Sequence, residues 1–222
     1  MNRLQVLWHS TIGKKAVMAV TGLVLVAYLI SHVLANLLVF SGPERINRYA
    51  ALLHGTGGAL WGARLVLLVA VILHIVAAVQ LTLRSRAARP RAYVAGRDPQ
   101  ASTLASRTIR WGGVLILVFL VYHILHFTTG GAHPDFIPLD PYHNVSTGFR
   151  SPWVAGFYTI AMVAVGLHLY HGVWSSGRSL GVSRPSPRPF HRRLAVALAA
   201  FVGLGFTAIV AAAYLGMFGG VR

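Results

Sequence analysis

The sequence contains no cysteine, which excludes disulfides, thiolate zinc sites and iron–sulfur ligation by this chain. Acidic residues are nearly as scarce: Glu44, Asp98, Asp135 and Asp140 are the only four, and all lie outside the long apolar runs. A carboxylate-bridged di-iron centre takes Glu and Glu-x-x-His ligands from facing helices, and no such set exists here. A zinc hydrolase with a carboxylate base beside its histidines is excluded on the same ground. Charged residues make up 11% of the chain, against roughly 25% in soluble globular proteins. No internal repeat and no linker composition divides residues 1–222, so a single domain is expected.

What is present is apolar. Hydrophobic residues account for 55% of the chain and the mean hydropathy is +0.63, a composition suited to lipid as solvent. Five runs reach the roughly 20 residues that cross a bilayer: 16–40, 60–83, 109–128, 153–174 and 194–218. The opening MNRLQVLWHSTIGKK leads into the first of these and not into a short signal-peptide core with a small-residue cleavage site, so a retained first helix is expected. The expected fold is an all-α membrane protein of five transmembrane helices, four of which form a bundle.

The net charge of +16 raises the question of nucleic acid, but the basic residues sit between apolar runs and form no polar domain face. Of the 20 lysines and arginines, 15 fall in the N-terminal segment and the second and fourth connections. The positive-inside rule then puts those segments and the N-terminus in the cytoplasm, in a bacterial inner membrane, with lipid and not nucleic acid around the chain. The basic stretch RSRAARPRAYVAGRDPQAS is expected to be a mobile segment or a docking surface on that side. On the other side, residues 44–53 are expected to form a short interfacial helix, and residues 130–152 read as a folded cap too rich in Pro and Gly for a helix. Trp61, Trp111, Trp153 and Trp174 stand near span ends as interfacial anchors.

Histidines inside the spans are costly to bury without a partner and mark a functional site. Alternating spans convert residue number into depth. His32 is 17 residues beyond Lys15 and His123 is 13 beyond Arg110, about 25 and 20 Å from the inner boundary. His74 and His168 each precede an arginine by 10 residues, about 15 Å from that boundary. Two histidines at one depth on different helices can ligate one haem iron from its two faces, so the four form two levels for two stacked haems. Small residues one turn away leave room for a flat ring: Ala70, Ala77 and Ala78 around His74, Ala164 and Gly172 around His168, Ala35 beside His32. The same small residues also suit close helix packing alone. His126 and His171 follow His123 and His168 by three residues, so one of each couple is the ligand and the other a donor to a propionate or a quinone carbonyl. The choice between His123 and His126 stays open on depth alone.

On these residues the chain resembles the single-chain, five-helix, di-haem cytochrome b anchor of succinate:quinone oxidoreductases and the related fumarate reductases. The resemblance rests on LWHSTIGKKAVMAVTG, SHVLANL, ILHIVAAVQL, VYHILHF, SPWVAGFY and GLHLYHGVW, and covers nearly the whole chain. It implies axial ligation of haem iron by His32 and His123 on the distal haem and by His74 and His168 on the proximal one, with His126 and His171 toward propionates. It also implies two haems b, a menaquinone or other quinone, and partner flavoprotein and iron–sulfur subunits on the cytoplasmic face that carry FAD and the clusters. The dicarboxylate site would lie outside this chain, in the flavoprotein. Glu44 is the nearest outer acid for quinol chemistry, although it does not match the family position clearly. Rival readings are the b subunit of a hydrogenase or formate dehydrogenase and a transporter with a histidine relay; a transporter predicts broken helices or internal symmetry.

Overall fold

The computed structural model describes residues 2, 5, 8–88, 103–182 and 190–218. Among the described residues seven α-helices follow one another: α1 Thr11–Asn36, α2 Pro43–Gly55, α3 Gly58–Ala87, α4 Leu104–His123, α5 Pro141–Gly148, α6 Pro152–Ser179 and α7 Phe190–Tyr214. A 3₁₀ turn, Leu37–Ser41, extends α1, and a π turn, Ile124–Thr128, extends α4. With these extensions α1, α3, α4, α6 and α7 are long and apolar enough to cross a membrane.

Local chemistry sets the ends. Ser10 caps α1 by accepting from the Gly13 N–H at 2.8 Å, and the Thr103 hydroxyl caps α4 by accepting from Ser106. The helices run beyond the apolar runs at most ends because polar residues such as Arg84, Arg86 and Arg178 occupy their last turns. The last helix is the exception. It stops at Tyr214, short of the expected 218, because Gly216 takes a φ of 69° and closes a Schellman motif, with Met217 N donating to Ala212 O at 2.9 Å. Apolar Leu215, Met217 and Phe218 carry the hydrophobic run past the helix, and Phe218 folds back to within 5.3 Å of the Phe40 ring.

α6 is the central element. It packs most extensively on α7 and also against α4 and α1, while α3 packs on α1. The core lies along these contacts, with Val33, Ala161 and Val202 fully buried. Leu65, Leu68, Val69 and Ile72 on α3 and Val114 and Val118 on α4 are exposed apolar residues, as expected of a lipid-facing surface. Trp61, Trp111 and Trp153 are also largely exposed. Neither α1 with α4 nor α3 with α6 makes extended backbone contact among the described residues. These two separations run between helix pairs that carry histidines.

One end of the bundle is tied by the start of α1 and the end of α3. Lys14 Nζ, buried, donates to Gln80 Oε1 and lies over the Trp8 ring, and Arg84 donates to the His9 carbonyl at 2.8 Å. The opposite end carries the cap: α2, α5 and residues 129–140. The expected helix at residues 44–53 is present as α2, with Pro43 opening it and Glu44 in its first turn. The expectation of a helix-free cap is corrected: α5 forms inside it because Asp140 is an N-cap, accepting from His143 N at 3.0 Å, and Pro141 occupies the first turn, where its missing N–H costs nothing. Asn47 holds the two parts together by donating to Asp140 and accepting from Tyr142 N. Most of the expected basic docking stretch, including Asp98, lies outside the described residues, as do Arg184 and Arg188.

Candidate functional site

Four helices bring the expected histidines into two pairs. His32 of α1 faces His123 of α4 with ring centroids 5.9 Å apart. His74 of α3 faces His168 of α6 at 6.1 Å. Two imidazoles coordinating one metal from opposite sides, each nitrogen about 2.0–2.1 Å from it, have centroids on the order of 6 Å apart. Each pair spans one of the two separations between helices. Across those gaps the histidine side chains meet although the backbones do not pack.

The pairs stand at different levels. His74 bonds to the Met18 carbonyl and lies beside Thr21 on α1, whereas His32 is 11 residues farther along that helix, about 16 Å away. The pair His74–His168 is nearer the amino-terminal end of the bundle, and His32–His123 nearer the cap.

The surroundings of each ring differ. His74 Nδ1 is held by Met18 O at 3.1 Å and Thr21 Oγ1 at 3.3 Å, so Nε2 is the nitrogen not engaged by these bonds. A carbonyl partner on the second nitrogen is the usual way to orient a ligating imidazole. Gly22 lies against this ring, where a Cβ would stand 3.2 Å from Cε1. His32 stacks on Tyr28 at 5.1 Å, has Phe206 of α7 at 5.5 Å, and its Nδ1 is 3.3 Å from Asn36 Nδ2. His123 packs against Phe119 and Phe127, and its Nδ1 lies 3.4 Å from the Tyr158 hydroxyl.

His126 and His171 do not form a third pair. His126, fully buried in the π turn, bonds through Nδ1 to the same Tyr158 hydroxyl at 3.0 Å and stacks on His133 at 4.8 Å. Single π turns inside helices recur at functional sites. Among the described residues the buried side-chain atoms without a hydrogen-bond partner are His126 Nε2, His168 Nδ1 and His171 Nδ1. Orphaned polar atoms are rare in a folded interior, and all three belong to the histidines singled out from sequence. No cluster of three or more His, Cys, Asp or Glu able to hold a metal ion occurs among the described residues. A metal inside a planar macrocycle needs only two protein ligands, and each pair presents two imidazoles.

Sequence reasoning passed over several groups that the structure draws into the site. Tyr158 on α6 links His123 and His126. His133 and His143, which lie outside the apolar runs, are buried in the cap. His133 donates from Nε2 to Asn144 O at 2.8 Å, and His143 meets Asp135 Oδ2 at 2.9 Å. The acidic residue beside the histidine cluster is Asp135; it helps line a cavity of about 330 Å³ with His126, Thr147, Gly148, Arg150 and Ser151. Glu44 is not part of that cavity's lining. Thr21 and Gly22, one turn from Met18, were also unremarked; a small residue facing an intramembrane histidine on a neighbouring helix was the signal available. Comparison with protein-family models, with curated proteins and with solved structures finds no match to this chain.

Proposed function

We propose that this chain is the membrane-anchor cytochrome b subunit of a succinate:quinone oxidoreductase, holding two haems b and passing electrons between an iron–sulfur subunit and a membrane quinone. The observation that carries the reading is the pair of histidine couples, His32–His123 and His74–His168, at ligating separation across helices whose backbones stand apart. His32 with His123 and His74 with His168 would each hold a haem through two imidazoles, and the bound group would supply one-electron redox chemistry suited to electron transfer and not to oxygen activation.

The chain's own residues orient and insulate. The Met18 carbonyl and Thr21 hydroxyl hold His74 with Nε2 toward the gap. Phe119, Phe127 and Phe206 surround the cap-side pair and exclude water. His171, with a buried free Nδ1 one turn from His168, is placed to bond a propionate. The quinone is a menaquinone or a relative of it, and the flavoprotein and iron–sulfur subunits dock on the face that carries the basic connections, with the N-terminus in the bacterial cytoplasm. On this reading the dicarboxylate is handled by the flavoprotein partner.

The test is the dithionite-reduced minus oxidised spectrum of the detergent-purified protein, with pyridine haemochrome quantitation per chain. Two haems b, with one lost or perturbed in each of His32→Ala and His74→Ala, is the expected result. A folded, partner-containing preparation without a Soret band sinks the cytochrome reading and favours a transporter. Succinate-dependent haem reduction in a complex containing flavin distinguishes this function from a hydrogenase or formate dehydrogenase b subunit, whose haems respond to hydrogen or formate.

A further inference from the structure

Tyr158 is 4% exposed and is surrounded by Phe119, Phe127 and Phe149, with ring centroids between 4.9 and 5.9 Å. Its hydroxyl meets two imidazole nitrogens, His123 Nδ1 at 3.4 Å and His126 Nδ1 at 3.0 Å, and no other partner among the described residues. A tyrosine hydroxyl has one proton to donate and lone pairs to accept with. It therefore cannot donate to both nitrogens at once, and the direction of the relay depends on which nitrogen carries a proton.

On the reading that His123 ligates iron through Nε2, its Nδ1 carries the proton and must donate. We propose that Tyr158 is a positioning residue that accepts from His123 Nδ1–H and donates to His126 Nδ1, so that His126 presents Nε2–H to the cap-side cavity. The second end of the relay fits this direction. His126 Nε2 is buried and has no protein partner. It lies against Gly148, where a Cβ would stand 3.2 Å from it, and both residues line the cavity of about 330 Å³. Gly148 has no side chain to stand between that buried nitrogen and the cavity wall. The neighbouring His133 is committed elsewhere: its Nδ1 accepts from Asp135 N at 3.0 Å and its Nε2 donates to Asn144 O. His126 is thus the imidazole left to offer an N–H to an acceptor oxygen in the cavity, and Tyr158 ties that offer to the cap-side ligand.

The inference rests on the proposed function for the state of His123, and its test separates the two. Protein is first shown to carry two haems per chain; failure at this step overturns the function. In reduced protein, where six-coordinate ferrous haem is diamagnetic, nitrogen NMR of ¹⁵N-histidine-labelled protein, with His126→Gln for assignment, reads the tautomer. A proton on Nε2 of His126 in the wild type is expected, and a proton on Nδ1 overturns the relay whether or not Tyr158→Phe folds. Tyr158→Phe keeps the ring and removes the hydroxyl. It is expected to mix the His126 tautomers and to raise the midpoint potential of one haem only, because an imidazole that loses its acceptor donates less to iron. Two bound haems with unchanged potentials and an unchanged His126 tautomer in this variant would refute the assignment.

Discussion

Gly22 offers the sharpest test of the amino-end pair. A Cβ on this residue would stand 3.2 Å from His74 Cε1 and 3.6 Å from Nδ1. Carbon atoms in ordinary contact are about 3.5–4.0 Å apart, so Gly22→Ala pushes the imidazole by about 0.3 Å or more. That already exceeds the tolerance of about ±0.2 Å on ligand distances, although a slight shift of α3 can absorb it. Gly22→Val adds methyls about 1.5 Å farther out. The ring must then move by more than about 1 Å, which carries Nδ1 beyond hydrogen-bonding range of Met18 O, now at 3.1 Å. The alanine variant is expected to bind the amino-end haem roughly 10-fold more weakly, the lower end of the range for disturbing the group that orients a metal ligand. The valine variant is expected to lose that haem. His32 is 10 residues farther along α1, about 15 Å away, so the cap-side haem should stay. Pyridine haemochrome per chain with a redox titration reads the outcome: two haems in wild type, one in Gly22→Val. Two haems at wild-type potentials in the valine variant, or loss of both from folded protein, would refute the reasoning.

Thr21→Val removes the hydroxyl 3.3 Å from His74 Nδ1 while keeping the branched shape; both haems should remain, with the midpoint of one raised in a redox titration. Asn144→Ala deletes the two side-chain bonds to the backbone of the exposed Ile137, each 2.8 Å, which tie residues 129–140 to α5. It should cost about 1–3 kcal/mol, seen as a lower thermal midpoint in detergent and faster proteolysis within residues 129–140. Asp140→Ala removes the α5 cap and the acceptor for Asn47, and should cost about 0.5–2 kcal/mol in the same melts, with haem content unchanged.

The spans and the two histidine pairs were legible because one physical quantity encodes both. A helix rises by a fixed amount per residue, so apolar length and histidine position along the chain convert directly into membrane depth. The helix ends were less legible, since hydropathy reports the lipid-facing length and not the hydrogen-bonded one. Phe190, Arg192 and Arg193 extend α7 at its start, while Gly216 ends it inside an apolar run. α5 was missed for a related reason. Pro141 reads as a helix breaker until Asp140 before it is recognised as a cap, which makes the proline a first-turn residue. Lys14 was counted among the charges at the membrane edge, yet it is buried against Gln80, a polar residue near the end of the second apolar run that had no other purpose in the sequence.

Tyr158 was not legible at all, because its two partners are 35 and 32 residues away and a tyrosine in an apolar helix carries no signature of what its hydroxyl touches. Its position nevertheless separates the two pairs chemically. His74 is held by a backbone carbonyl, an acceptor that cannot reverse direction, and by the Thr21 hydroxyl, whose proton goes to the Val17 carbonyl within its own helix. His123 is held by a hydroxyl that can reverse direction and that is shared with His126 at the wall of a cavity. A perturbation in the cap therefore has a route to the pair His32–His123 and none of this kind to His74–His168. Redox titrations of variants at Gly148 and Tyr158 should move one midpoint, and variants at Thr21 and Gly22 the other. A variant at either end that shifts both potentials equally would show that the pairs respond as one unit and that the separate partners of His74 and His123 do not set them apart.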